Sequence, residues 1–229
     1  MAGPGGRTPR FASLAPLPRS FYDREVCLVA RDLLGKLLLH DQGGLTVGRI
    51  VEVEAYLARD DPANHAYRGR TRRNAAMFGP PGHAYVYAIH ARYCLNAVTE
   101  GEGVPSAVLI RAVEPLAGME RMQPRRGAEG LLELARGPAR LCQAFAIDRR
   151  LDGWDLTRGQ RLWLAEAAGA DQPAGEVAVG PRVGVTSAQD LPLRFYFAAN
   201  PFVSHWKPAA RGPRTNVGSA TTPAAPRRR

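Results

Sequence analysis

Apolar residues near the start of the chain recur at the spacing of an α-helix. They are Val26, Val29, Ala30, Leu33, Leu34 and Leu37. A period of three to four residues predicts one amphipathic helix, with Ser20 or Asp23 available as its N-terminal cap.

The pattern changes to a period of two between Leu45 and Leu57. One face presents apolar side chains and the other presents two carboxylates and a phenol: Val51, Val53, Ala55 and Leu57 against Glu52, Glu54 and Tyr56. Alternation rich in β-branched residues predicts a strand.

Short strands and short helices make up the rest of the predicted body. Strand-like runs lie at 84–90, 93–98, 107–113, 161–164, 177–185 and 193–197, and helical runs at 119–122, 131–135 and 139–147. Because strands outnumber long helices and no βαβ alternation appears, we expect an α+β fold. The prediction is a single domain, residues 20–207, with a curved, mostly antiparallel β-sheet flanked by short α-helices.

Composition indicates a packed globular protein. Apolar residues make up 45% of the 229 residues and charged residues 23%, which excludes wholesale disorder. No apolar run approaches the roughly 18 residues that a membrane helix needs, so we expect a cytoplasmic protein without membrane contact. The cysteines, Cys27, Cys94 and Cys142, form no metal-binding motif, and we expect reduced, buried thiols and neither metal nor cofactor.

Positive charge is concentrated at the two ends of the chain. The formal net charge is +10, and 29 of the 31 cationic side chains are arginine. Residues 1–19 and 208–229 contain arginines, no acidic residue and much Pro, Gly, Ala and Thr. This composition predicts two disordered basic arms and suggests a polyanionic partner.

The segment from residue 62 to residue 99 combines arginines with aromatic rings and has no acidic residue. It contains Arg68, Arg70, Arg72, Arg73 and Arg92 together with Tyr67, Phe78, Tyr85, Tyr87 and Tyr93. Guanidinium groups neutralise phosphates and rings stack on bases, so a nucleic-acid surface fits. A solvated loop followed by a tyrosine-rich strand fits the composition equally well.

The residue inventory leaves carboxylate chemistry as the main candidate. There is no nucleotide-binding glycine motif, no zinc deaminase signature, and only two lysines, Lys36 and Lys207. Glu52 and Glu54 share one strand face and repel each other unless each has a partner. A half-buried glutamate suits general-base work, whereas two exposed glutamates paired with arginines would be structural, and spacing alone leaves both open.

Seven segments, taken together and in order, resemble one enzyme family. They are residues 49–56 (RIVEVEAY) with His65, 73–78 (RNAAMF), 81–87 (PGHAYVY), 109–115 (LIRAVEP), 137–144 (GPARLCQA), 182–185 (RVGV) and 193–196 (LRFY). The likeness extends from about Phe21 to Trp206 and is to the alkyladenine DNA glycosylases, the vertebrate type of 3-methyladenine DNA glycosylase.

The resemblance implies a monofunctional, metal-free enzyme of base excision repair without lyase activity. Such an enzyme rotates an alkylated or deaminated purine out of double-stranded DNA and hydrolyses its N-glycosidic bond. By this matching, Glu54 activates the water, and Arg111 and the backbone carbonyl of Val183 help to hold it. The base pocket consists of Tyr56, His65, Tyr87 and Asn96, and Asn96 helps to reject guanine.

The sequence departs from the family between Tyr87 and Asn96. The family usually has a tyrosine three residues after the position of Tyr87, where it fills the gap left by the flipped nucleotide. Here that residue is His90, and the segment is one residue shorter, so the wedge is one of His90, Ile89 or Tyr93. Arg72, Arg73 and Arg92 are the expected contacts to the DNA backbone.

Two other functions stay open from the sequence. A non-catalytic module that binds damaged DNA would keep the fold and the basic surface, and the altered wedge segment favours it. A metal-free hydrolase of small ribosides would share the carboxylate chemistry without needing the arginines. The leading expectation is a glycosylase that acts as a monomer on duplex DNA containing damaged purines, associated with the nucleoid through the DNA.

Overall fold

The computed structural model describes residues 11–89, 91–167 and 175–204. The helices are α1 (Arg19–Tyr22), α2 (Val26–Leu33), α3 (Met119–Arg126), α4 (Leu131–Leu134) and α5 (Pro138–Ala144), with 3₁₀ turns at Ala75–Phe78, Arg149–Leu151 and Leu156–Arg158. The strands are β1 (Leu37–Asp41), β2 (Leu45–Tyr56), β3 (Ala84–Ile89), β4 (Arg92–Thr99), β5 (Ser106–Ala117), β6 (Leu162–Ala165), β7 (Val177–Gly180) and β8 (Arg194–Phe197).

All eight strands join one antiparallel sheet. The main path runs β3-β4-β5-β2-β1-β6, and β8 pairs with both β2 and β7. Short helices flank this sheet, so the predicted α+β fold with a mostly antiparallel sheet is confirmed.

Strand β2 is the centre of the sheet. One edge pairs with β5, while the other edge pairs first with β1, over residues 45–49, and then with β8, over residues 52–54. Glu52 and Glu54 therefore lie where the sheet branches, with a neighbouring strand on each side. This placement buries both carboxylates completely.

The two faces of strands β2 to β5 have different roles. One face contributes alternate residues to the main core, where α2 and α5 also pack: Val51, Val53, Ala55, Ala84, Val86, Leu95, Ala97, Val108, Ile110 and Ala112. Because side chains alternate along a strand, the intervening residues lie on the opposite face. That face carries Glu54, Tyr56 and Arg111, and the packed core holds them in place.

Three local predictions were wrong. Helix α2 is capped by Glu25, whose carboxylate accepts hydrogen bonds from the N–H groups of Cys27 and Leu28, and not by Ser20 or Asp23. Leu37, expected on the helix, begins β1. The strand expected over 177–185 ends at Gly180, just before a proline.

The ordered body includes part of the segment expected to be an N-terminal arm. Phe11 and Leu17 are buried, and the N–H of Leu17 donates to the carbonyl of Leu164 on β6. Residues 11–19 thus pack against the sheet because their apolar side chains cover its β1–β6 edge. Residues 1–10 and 205–229, which include most of both predicted arms, lie outside the described residues.

The three cysteines are free thiols, with Cys94 and Cys142 buried and Cys27 half-buried. Within the three described ranges, no helix is long and apolar enough to cross a bilayer.

His40 on β1 is a buried titratable side chain. The carbonyl of Phe145 accepts a hydrogen bond from Nδ1 of His40, while Nε2 is buried without a partner in the described structure. Burial lowers the pKa of His40; the Phe145 carbonyl raises it, nearby Arg125 and Arg161 lower it, and Asp41 raises it. The lowered pKa favours the neutral form of His40.

Candidate active site

A cavity of about 470 Å³ opens on the polar face of β2 to β5. Its lining comes from these strands, from the segment between β2 and β3, from the start of α5 and from the segment after β7. The residues are Tyr56, Pro62, Ala63, His65, Met77, Tyr85, Tyr87, Ile89, Cys94, Asn96, Ala107, Leu109, Arg111, Pro138, Val183, Gly184, Val185 and Thr186. Its walls are mostly aromatic and apolar, as ligand pockets usually are.

The carboxylate of Glu54 lies directly behind the wall of this cavity. Its Oε1 accepts a hydrogen bond from the N–H of Val183 at 2.7 Å and lies 3.2 Å from Nη1 of Arg111. Its Oε2 accepts a hydrogen bond from the hydroxyl of Tyr56 at 3.0 Å. All three partners line the cavity, so Glu54 is held by residues of its wall.

Arg111 joins the two carboxylates of β2. Its Nε donates to Oε1 of Glu52 at 3.0 Å while its Nη1 faces Glu54. Burial lowers the pKa of Arg111, but Glu54 and Glu52 outweigh burial and the pKa is raised. The mutual repulsion expected between Glu52 and Glu54 is therefore relieved by a shared cation.

A second buried ion pair fixes the walls on either side of Glu54. Nη1 and Nη2 of Arg182 donate to the two carboxylate oxygens of Asp61 at 2.6 and 2.7 Å, and both side chains are fully buried. Asp61 also accepts hydrogen bonds from the N–H groups of Leu57 and Ala63. The Asp61–Arg182 pair thus ties the loop after β2 to the residue that precedes Val183.

Tyr56 is held between these groups as a neutral hydrogen-bond donor. The guanidinium of Arg182 lies 4.6 Å from the centre of its ring. Burial and the neighbouring Glu54 carboxylate raise the pKa of Tyr56 above its usual range. The hydroxyl therefore keeps its proton and donates a hydrogen bond to Oε2 of Glu54.

Aromatic rings form the opposite wall. The rings of His65 and Tyr87 meet edge to face at 4.4 Å, and Nδ1 of His65 is 2.9 Å from the hydroxyl of Tyr85. Tyr85 and Tyr87 are tilted neighbours on β3 at 5.4 Å. Desolvation lowers the pKa of His65, which favours a neutral imidazole in this wall.

Asn96 lies on the floor of the cavity with one end of its amide fixed. Its Nδ2 donates to the carbonyl of Tyr85 at 3.0 Å, and the side chain is buried. The part played in rejecting guanine, which the family resemblance implies, stays a prediction.

The tip of the β3–β4 hairpin forms the rim. Ile89 lines the cavity and is 48% exposed, and Ala91 adopts a left-handed conformation with φ of 61°. Tyr93 is half-buried and packs against the main core. Of the three wedge candidates, Ile89 is thus placed at the rim and Tyr93 is not, while His90 lies outside the described residues.

The three arginines predicted to contact the DNA backbone are all exposed. Arg72, Arg73 and Arg92 make no ion pair with any carboxylate that the structure describes. Their charges are available to a polyanion.

The ionisable groups around the cavity include one buried carboxylate, that of Glu54, held by side-chain and backbone donors. In the described ranges no group of three or more His, Cys, Asp and Glu side chains is placed to hold a metal ion. Lys36 lies outside the cavity and pairs with Glu166 at 2.8 Å. Glu54 and its hydrogen-bond donors Tyr56, Arg111 and Val183 lie at the cavity.

Sequence reasoning assigned no role to several residues that build the site. Asp61 and Arg182 were missed because their partnership spans 121 residues, although Arg182 stands directly before Val183 in a matched segment. Leu109 was also missed, and Tyr85 was named only among the aromatic rings of the segment 62–99. Strand alternation could have placed both on the face that carries Tyr87 and Arg111.

Comparison with known proteins gives a consistent result. A family model described as methylpurine-DNA glycosylase matches residues 20–201. A protein of Methanoculleus marisnigri with 3-methyladenine DNA glycosylase in its name is 50% identical over 189 residues, which cover 82% of this chain and 98% of that protein. A similarly named protein of Carboxydothermus hydrogenoformans is 48% identical, with the same coverage of both chains. The chain belongs to the methylpurine-DNA glycosylase family, a family of DNA glycosylases that act in base excision repair.

Proposed function

We propose that the protein rotates alkylated or deaminated purines out of duplex DNA into the cavity and hydrolyses their N-glycosidic bond with water activated by Glu54. The observation that carries the proposal is a buried carboxylate whose three partners, Tyr56, Arg111 and Val183, line one aromatic cavity.

The proposed reaction follows from the surroundings of Glu54. A water between the flipped nucleotide and Glu54 gives a proton to the carboxylate while its oxygen attacks C1′ of the sugar. The bond from C1′ to the base nitrogen breaks, and the base leaves with the bonding electrons. Positive charge builds on the sugar in the transition state, and a negative carboxylate next to it lowers the barrier. Arg111 and Val183 keep Glu54 in place during this step.

The cavity suits a purine. The rings of Tyr56, His65 and Tyr87 offer stacking surfaces, and each base stacked on an aromatic ring contributes about 1–3 kcal/mol. Chemistry at C1′ requires the nucleotide to leave the duplex, and damaged pairs open at a lower cost than intact ones. Damaged purines are therefore distinguished from intact ones first when the base pair opens and again when the base binds in the cavity.

The rim and the exposed arginines suit duplex DNA. Ile89 projects at the mouth of the cavity, where an apolar side chain can fill the gap left by the flipped nucleotide. Arg72, Arg73 and Arg92 are proposed to contact phosphates.

Substitution of Glu54 by Gln tests the proposal. The substrate is a labelled duplex with a single hypoxanthine or ethenoadenine opposite thymine, and abasic product is scored as strand cleavage after hot alkali under single-turnover conditions. We expect Glu54→Gln to lower the excision rate at least on the order of 10²-fold with little change in affinity for the lesion duplex. Glu114→Gln is the matched control, since Glu114 pairs with Arg49 in the same sheet without lining the cavity.

Three outcomes separate the alternatives. Retained excision by Glu54→Gln would refute the general-base role. No product from the native chain, with equal affinity for damaged and intact duplex, would favour a non-catalytic binding module. Cleavage of free ribosides, with DNA binding that is insensitive to salt, would favour a small-riboside hydrolase.

A further inference from the structure

Glu52 is the second carboxylate of the β2 pair, and the proposed reaction does not use it. Its side chain is fully buried and does not line the cavity. Its Oε1 accepts hydrogen bonds from Nε of Arg111 at 3.0 Å, from Nε of Arg194 at 2.7 Å and from the hydroxyl of Ser204 at 2.8 Å. Its Oε2 accepts from the N–H of Ser204 at 2.7 Å. Glu52 can therefore influence the cavity only through a neighbour.

That neighbour is Arg111, which touches both carboxylates with different nitrogens. The guanidinium is planar, so contacts at Nε and at Nη1 together fix its plane. The ladder between β2 and β5 is irregular here, since Glu52 pairs with Ala112 and Val53 with Ile110, which leaves Arg111 without a ladder partner. Such irregularities re-aim side chains. The contact with Glu52 thus determines which way Nη1 of Arg111 points.

Charge also connects Glu52 to the reaction. The negative charges of Glu52 and Glu54 balance the positive charges of Arg111 and Arg194, and all four side chains are buried. Burial raises the pKa of Glu52, but Arg111, Arg194 and the hydrogen bonds from Ser204 outweigh it and the pKa is lowered. Loss of this negative charge would leave excess positive charge close to a sugar that becomes positive in the transition state.

We propose that Glu52 is a positioning residue for base excision: with Arg194 and Ser204 it holds the Arg111 guanidinium so that Nη1 faces Glu54. The inference rests on the proposed roles of Glu54 and Arg111. Ser204 lies after the last strand, so this contact also links the C-terminal end of the described body to the reaction centre.

The first test is Glu52→Gln, which keeps the size of the side chain and removes its charge. We expect the single-turnover excision rate to fall on the order of 10²-fold, the loss typical of a misplaced catalytic group. The dissociation constant for the lesion duplex should change less than about threefold, because Glu52 does not line the cavity. Glu114→Gln, the same change in the Arg49–Glu114 ion pair between β2 and β5, should leave both quantities within about threefold of the native values.

A double-mutant cycle separates positioning from a general structural role. If Glu52 acts through Arg111, Glu52→Gln has no further effect once Arg111→Ala is present, and the double variant excises at the rate of Arg111→Ala alone. A residue that only supports the fold would slow both backgrounds equally. Ser204→Ala removes one hydrogen bond to Glu52 and keeps both of its ion pairs, so it should slow excision about three- to tenfold. Its effect should also be non-additive with Arg111→Ala. This variant therefore tests the proposal even if Glu52→Gln does not fold.

The outcomes distinguish this inference from the proposed function. Native-rate excision by folded Glu52→Gln and Ser204→Ala, or additive losses in the cycle, would overturn the positioning role while Glu54→Gln remains inactive. Retained excision by Glu54→Gln would instead refute the proposed function itself.

Discussion

Removal of the Arg182 guanidinium gives a quantitative test of the buried Asp61–Arg182 pair. In Arg182→Met the carboxylate of Asp61 stays buried, and the donors that remain to it among the described residues are two neutral ones, the N–H groups of Leu57 and Ala63. Breaking a buried ion pair by removing one partner costs about 3–5 kcal/mol. That is a large part of the roughly 5–15 kcal/mol that stabilises a typical domain.

The assay is thermal and urea unfolding of the full chain. For a protein of this size, 1 kcal/mol shifts the Tm by about 2–4 °C, so we expect a drop of roughly 6–20 °C. Glu166→Gln is the control, because it breaks an ion pair of ordinary length, 2.8 Å to Lys36, in which Glu166 is 64% exposed. Exposed pairs contribute about 0–1 kcal/mol, so this variant should change the Tm little.

Excision gives a second measurement on the same variant. Val183 follows Arg182 directly and donates to Glu54, so Arg182→Met should slow excision even at temperatures where it is folded. Adding Asp61→Asn removes the buried carboxylate that has lost its cationic partner, so it should recover part of the lost stability. A Tm of Arg182→Met within about 2 °C of the native value, or a double variant as unstable as the sum of the single changes, would refute the reasoning.

Three further predictions concern the core, the rim and the DNA surface. Burial lowers the pKa of His40 below the unfolded value near 6.5. The contribution of His40 to the free energy of unfolding is therefore complete above about pH 6.5 and is lost as the pH falls through the folded-state pKa. In urea unfolding at about pH 5 and pH 7, the stability of His40→Gln should depend less on pH than that of the native chain. Ile89→Ala should slow excision of a paired lesion more than of a lesion in single-stranded DNA, and an equal loss on both substrates would rule out a wedge. Replacing Arg72, Arg73 and Arg92 by alanine should flatten the log-log salt dependence of DNA binding by about 0.9 for each lost phosphate contact; an unchanged slope would place the DNA elsewhere.

Local patterns predicted most of the sheet, because alternation is a property of neighbouring residues. Strand β2 was expected over 45–57 and is found over Leu45–Tyr56. Strand β1 was missed because both of its faces are buried: Leu37 and Leu39 pack in one core cluster and Leu38 in another. Without alternation, Leu37 was interpreted as the last apolar position of the preceding helix.

The site was less predictable because its contacts are distant in sequence. Spacing alone left Glu54 as either a catalytic base or a strand residue paired with arginine, and the structure gives it an arginine partner at a cavity wall. The N–H of Val183 that holds Glu54 lies 129 residues away. The irregular pairing beside Arg111 also cannot be read from an alternating pattern. Family resemblance named the residues, whereas only the fold gives their hydrogen bonds.

The strengths of the charge contacts favour Glu54 over its neighbours as the proton acceptor. Glu52 accepts from two arginines at 2.7 and 3.0 Å, and Asp61 accepts from both arms of Arg182 at 2.6 and 2.7 Å. Glu54 has a single arginine contact, at 3.2 Å, and its remaining partners are neutral. Short, charge-assisted hydrogen bonds occupy the lone pairs that a proton would need. The two carboxylates with short arginine contacts are therefore suited to hold the site together, which supports the proposal that Glu54, with its longer arginine contact, takes the proton from water.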